Sequence, residues 1–176
     1  MKKQLLLITL ILVTTFIFAG CTPAAPEVTE TPETSETPKY GPIGEPKTFE
    51  KDDFKILLTT RFFEREPREG FYACYDTHFI GVNVLRDYFS LAPGASELSL
   101  ERYTELLASN NPLNGAEAQY IDGLWCVIYE NDTSRGYIFT YKGADSFWAV
   151  EYLCSLDSVE KYEDLFFTWA KAVEIK

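Results

Sequence analysis

Hydrophobic positions divide this chain into stretches of different character. Leu5 to Ala19 is a continuous apolar run, Thr22 to Pro46 is dominated by Thr, Pro, Glu and Ala, and from about Thr48 apolar and polar residues alternate in short, structured patterns. In that last stretch Phe54 to Thr60 predicts a strand, and Arg61 to Gly70, rich in Glu and Arg, a solvated connection. Phe71 to Asp76 and Phe79 to Arg86 predict two strands joined at Asp76-Thr77-His78. In the second, Ile80, Val82 and Val84 alternate with Gly81 and Asn83, the period of a sheet with one wetter face.

The period then changes. Ser99 offers a helix N-cap, and Leu100, Tyr103, Leu106 and Leu107 form a helical stripe that Asn110, Asn111 and Pro112 end. A polar loop follows over Asn114 to Gln119. Leu124 to Glu130, Arg135 to Lys142 and Phe147 to Cys154 then predict three strands of an antiparallel meander, separated by Asn131-Asp132-Thr133-Ser134 and Gly143-Ala144-Asp145-Ser146. Asp157-Ser158-Val159-Glu160 has the form of a capping box. It opens a helix whose stripe is Val159, Tyr162, Phe166, Trp169 and Val173. An antiparallel β-sheet flanked by helices is an α+β domain, here one domain over 48–176.

The first two stretches give an address. Lys2 and Lys3, the apolar run and Phe18-Ala19-Gly20-Cys21 read as a lipoprotein signal peptide over residues 1–20, because the run falls short of the about 20 residues a membrane span needs. Cys21 is then the lipidated residue, and the acyl chains hold the protein at the extracytoplasmic face of the cell membrane. Residues 21–47 form a Thr/Pro/Glu-rich tether that cannot bury apolar surface and extends by about 3 Å per residue. The formal net charge of −11 becomes more negative still when Lys2 and Lys3 leave with the signal, which argues against nucleic acid as a partner. Beyond Cys21, an odd number of cysteines remains: Cys74, Cys126 and Cys154. In a simple meander Cys126 and Cys154 sit two strands apart, about 10 Å, beyond the reach of a disulfide. Buried free thiols are the expectation, and a pair involving Cys74 is the alternative.

The order of segments resembles the PsbP/Mog-like α/β/α sandwich family, which includes lumenal PsbP subunits of photosystem II, Ran-binding Mog proteins and small bacterial lipoproteins. The resemblance rests on Phe54-Lys55-Ile56-Leu57-Leu58, on Arg86-Asp87-Tyr88-Phe89, and on the helix at Leu100-Glu101-Arg102-Tyr103. At the C-terminal end it rests on Phe139-Thr140-Tyr141, Ser146-Phe147-Trp148-Ala149-Val150, and Tyr162 to Val173 with Phe166, Trp169 and Ala170. These are core and turn residues. The resemblance implies the sandwich fold and an assembly or binding module rather than an enzyme, and brings with it no metal or partner-binding residue.

Chemistry-bearing motifs are sparse. His78 is the one histidine, so a His-Glu-x-x-His zinc helix is impossible, and no Gly-x-Ser-x-Gly elbow, Cys-x-x-Cys pair or Gly-rich phosphate loop occurs. No motif implies a cofactor. Asp76 and His78, alternate residues of an extended segment, could form half of a metal site or an oriented base, or simply a turn. Two readings of function follow. The first is a tethered interaction module for an envelope protein. The second is a small-molecule or metal binder serving a transporter, with Tyr72, Tyr75, Asp76 and His78 as its candidate residues. A small hydrolase is a reserve, since a glycosidase needs only two carboxylates at the right separation.

Overall fold

Strand Ile80–Tyr88 (β5) and strand Ser146–Ser155 (β9) form the spine of the molecule, paired antiparallel from Ile80 opposite Cys154 to Tyr88 opposite Ser146. The computed structural model to which they belong describes residues 44–110 and 116–176. On one side of the spine lie Ala73–Asp76 (β4) and, at the edge, Phe63–Arg65 (β3). On the other lie Ser134–Lys142 (β8), Leu124–Glu130 (β7) and, at the opposite edge, Glu117–Ile121 (β6). A second sheet of three strands has Phe54–Thr59 (β2) between Pro46–Lys51 (β1) and Glu174–Ile175 (β10). All described pairings are antiparallel.

Alternation along the strands sorts side chains onto two faces. Val82 and Val84 of β5 share a face with Trp148, Val150 and Tyr152 of β9, because they are cross-strand partners or lie two residues apart. That face meets the small sheet and helix Val159–Lys171 (α2): Phe54 stacks on Trp148 at 5.4 Å and Tyr152 on Phe166 at 5.3 Å. The opposite face carries Phe147, Thr140 and Asp87 and is covered at its β6–β8 end by helix Leu100–Asn110 (α1). The result is the expected α+β architecture, an antiparallel β-sheet flanked by helices, with a second, three-stranded sheet beside α2 that the sequence expectation did not include. At roughly 25 cal/mol per Å² of apolar area removed from water, the fully buried rings of the first face are the dominant stabilising contribution.

Several elements depart from the sequence expectation. Strand β1 begins at Pro46, inside the span assigned to the tether, because Phe49 alone reaches the core, where it packs on Tyr75 at 4.8 Å. The polar loop expected to run to Gln119 contains β6, so the meander has a fourth strand; Asn114 lies outside the described residues. The charged connection after β2 contains β3, which pairs with β4. Helix α1 does start with a Ser99 cap, whose Oγ accepts the Arg102 N–H at 3.1 Å. Its buried line is Tyr103, Thr104 and Ala108, however, with Leu106 and Leu107 only half-buried. The helix turns toward a polar contact, Thr104 Oγ1 to Thr140 Oγ1 at 2.7 Å, which an apolar periodicity cannot reveal. At α2 no side chain caps the first turn: Ser158 bonds Asp157 and Ser155 instead, at the end of a 3-10 turn. Val159, Tyr162, Phe166 and Trp169 of the expected α2 stripe are buried and Ala170 joins them, but the helix ends at Lys171, so Val173 lies beyond it and is only half-buried.

Candidate functional site

The four candidate ligand residues are dispersed by the fold. Tyr75 lies in β4 with its ring 1% exposed, and burial pushes its hydroxyl up to about 12. Asp76 is on the other face and pairs with Arg65 at 2.9 Å. His78 sits exposed in the β4–β5 turn, edge-on to Phe79 at 4.9 Å. The turn is organised by Thr77, whose Oγ1 accepts the N–H groups of Phe79 and Ile80 at 3.0 and 2.9 Å. Tyr72 belongs to a different cluster, at the far end of β4. Among the described residues, no group of three or more His, Cys, Asp or Glu side chains is placed to hold a metal ion. Cys74, Cys126 and Cys154 are buried and free, and burial pushes the thiols of Cys126 and Cys154 up to about 11, so they are not poised as nucleophiles. Cys21 lies outside the described residues.

The most elaborate polar cluster is built around Arg86, which the sequence marked as part of Arg86-Asp87-Tyr88-Phe89 at the end of a strand and not as a site. The side chain is 8% exposed, and its Nη2 reaches Asp53 at 3.0 Å and Asp145 at 3.1 Å. Nε donates to Ser146 Oγ at 3.2 Å, and the guanidinium lies over the rings of Tyr88 and Trp148 at 4.5 and 4.6 Å. Tyr72 packs edge-on against Trp148 at 4.9 Å and donates to Asp52 at 2.9 Å. Burial, seconded by Asp52, raises the Tyr72 hydroxyl well above its ordinary range. These contacts tie the β1–β2 turn, β5 and the β8–β9 turn together. Arg86 pairs with a carboxylate from each of two turns and with the Ser146 hydroxyl, so the cluster is a clamp between the two sheets.

A second cluster crosses the opposite face. Glu151 of β9 accepts from Asn83 Nδ2 at 2.7 Å and from the Tyr129 hydroxyl, and the Tyr129 ring lies directly over Gly136. Burial, seconded by Glu151, keeps that hydroxyl strongly protonated.

The third feature is an open cavity of about 390 Å³ between the β6–β7 turn and α2. Ile121 and Phe167 form its apolar floor, and Asp122, Glu163, Asp164 and Lys171 its rim. Asp122 and Gly123 both have positive φ, 55° and 87°, the conformation of the two-residue turn that Asp-Gly favours. Lys171 already reaches Asp122 at 3.2 Å, and Glu163 accepts from the Tyr137 hydroxyl at 2.8 Å. The rim thus presents more carboxylate than ammonium. In chemical terms it is suited to hold a cation with an apolar stem.

No protein-family model matches the chain, and no curated protein sequence does. Among solved structures it is similar to the solution structure of cyanobacterial PsbP (CyanoP) from Synechocystis sp. PCC 6803. The TM-score is 0.50 at 14% sequence identity, over 78% of this chain and 96% of that one. Identity at that level speaks for fold alone. The fold of the described domain is PsbP-like, as the segment order implied.

Proposed function

We propose that this protein is a lipid-anchored, extracytoplasmic docking module that binds or assembles with an envelope protein and catalyses no reaction of its own. The anchor is the lipid on Cys21, and the tether lets the domain search a shell above the membrane while raising its effective concentration there. The observation that carries the reading is the PsbP-like fold, combined with the way the chemistry-bearing side chains are used. Arg86 is clamped by Asp53 and Asp145, Asp76 is paired with Arg65, and Glu151 is held by Tyr129 and Asn83. Titratable groups committed to internal bonds serve shape, and shape is what a docking partner reads. A metal-binding role would first require Asp76 to leave Arg65.

Two measurements test this. Cys21→Ser should move the protein from the membrane fraction to the soluble one without changing its unfolding midpoint. Crosslinking of the native protein in its own membranes, followed by mass spectrometry, should return one dominant envelope partner whose recovery falls when residues 22–43 are deleted. Retention of Cys21→Ser in the membrane, or an empty crosslink under efficient conditions, would sink the reading.

A further inference from the structure

Sheet edges are places where a chain with free backbone groups can acquire a strand, and proteins guard them with short length, charge and proline. Three of the four described edges here carry such guards. Strand β3 is three residues long, contains Glu64 and Arg65, and is followed by Pro67. Strand β1 starts at Pro46 and carries Lys47 and Lys51, and β10 is two residues long. Strand β6 is the exception. Its sequence Glu117-Ala118-Gln119-Tyr120-Ile121 holds one charge, no proline and no lysine, and Tyr120 is 62% exposed. Among the described residues no strand pairs with its outer side.

The hairpin geometry says which backbone groups are free. Ile121 and Leu124 close a two-residue turn, so they form a hydrogen-bonded pair, as do Gln119 with Cys126 and Glu117 with Ile128. Ala118 and Tyr120 therefore direct their N–H and C=O groups outward. Ile121 and Asp122 at the end of β6 line the same cavity as Glu163, Asp164, Phe167 and Lys171, so the cavity adjoins the free edge. Its one ammonium is paired with Asp122, which leaves Glu163 and Asp164 as the excess carboxylates. An added strand lies about 4.8 Å from β6. Its side chains on the Ile121 side run past Glu117 and into the cavity, while those on the other side meet Ala118, Tyr120 and Trp125.

We propose that β6 is the docking edge of the module: it accepts, by strand addition, an extended protein segment carrying lysine or arginine at alternate positions. The segment's backbone bonds Ala118 and Tyr120. A basic side chain lays its stem on Ile121 and Phe167 and its head among Glu163 and Asp164. Charge decides the occupant. A second copy of this chain, with its net charge of −11, would bring Glu117 against the other copy's carboxylate rim, whereas a basic strand complements it. This inference rests on the docking-module reading above and adds the chemistry of the partner.

The probe is a fluorescent, capped octapeptide alternating valine with lysine, titrated into the full-length protein in neutral detergent. It should bind, slow hydrogen exchange over 117–121, and lose affinity as salt rises. Replacing its lysines with glutamate should abolish binding. Ala118→Pro removes one outward N–H without touching the β6–β7 ladder, and should weaken binding about tenfold. Glu163→Gln combined with Asp164→Asn should weaken it about tenfold as well and flatten the salt dependence. Phe63→Ala, at the guarded edge, should leave binding unchanged. Unfolding midpoints near wild type establish that each variant is folded. Wild-type affinity in both β6-edge and cavity variants, equal binding of the glutamate peptide, or protection of 117–121 that grows with protein concentration in the absence of peptide would overturn the proposal. Photo-crosslinkers placed in membranes at Tyr120 and at Phe63 separate the two levels of inference. Capture of a partner elsewhere but not at Tyr120 rejects the edge and leaves the module, whereas no capture from any site rejects the module itself.

Discussion

The two faces of the seven-stranded sheet solve the same burial problem with different chemistry. Toward α2 and the small sheet the contacts are ring on ring: Phe54 on Trp148, and Phe166 against both Tyr137 and Tyr152. Toward α1 they are ring pairs tied down by polar bonds. Tyr103 stacks on Phe147 at 4.2 Å while its hydroxyl donates to Asp87 at 2.6 Å, and Thr104 meets Thr140. Apolar burial is strong and undirected; hydrogen bonds add little net stability but fix position. The first face thus holds the molecule together, and the second sets where α1 and the polar row of Asn83, Glu151 and Tyr129 lie.

The comparison breaks first if the aromatic face is not dominant. Phe166 is fully buried among Tyr137, Tyr152, Tyr162 and Trp169, so Phe166→Ala should cost about 3–5 kcal/mol in urea unfolding. A loss below that of any single substitution on the α1 face would invert the assignment. On that opposite face the largest effect should come from Gly136→Ala, because a Cβ there would run into the Tyr129 ring. Displacing that ring also breaks its bond to Glu151, for an expected loss of about 1–3 kcal/mol. Tyr129→Phe separates the two parts. It keeps the ring over Gly136 and removes only the hydroxyl, so it should cost about 1–2 kcal/mol in the same assay. If it costs as much as Gly136→Ala, the polar bond, rather than the packing over glycine, governs that face.

The same difference explains what could be read from the sequence. The aromatic face was legible because it follows simple periods: Ile80, Val82 and Val84 at two, and Tyr162, Phe166 and Trp169 at three and four. The α1 face was not, since its helix buries Thr104 and Ala108, which carry no hydrophobic signal, against Thr140. Strands β1 and β6 escaped for a related reason: each is an edge with few buried side chains, and half-exposed alternation resembles a loop. Of the candidate residues, Asp76 and His78 were placed on the β4–β5 hairpin correctly, but their partners, Arg65 and Phe79, depend on pairing across strands and on side-chain direction. The Arg86 clamp joins residues from three separate turns and strands. Such long-range convergence leaves no local trace.

The gentlest test concerns that clamp, where the two sheets meet. A bond from Ser146 Oγ at 2.8 Å, and then the Arg86 guanidinium, hold the Asp145 carboxyl below the usual carboxylate range. A group with a depressed folded pKa stabilises above its unfolded value, about 3.9 for Asp, and that contribution is lost as pH falls through the lower folded value. The Tm of Asp145→Asn should therefore lie slightly below wild type at neutral pH, and the gap should close on acidification below about pH 4. The gap should be small because Asp145 is mostly exposed and Asp53 still neutralises Arg86 at 3.0 Å. Other surface carboxylates titrate in both proteins and cancel in the difference. A gap that persists unchanged into strong acid would mean that Asp145 acts through the shape of the β8–β9 turn rather than through its charge. The joint between the sheets would then rest on the Arg86–Asp53 pair and on packing of Arg86 against Trp148 and Tyr88.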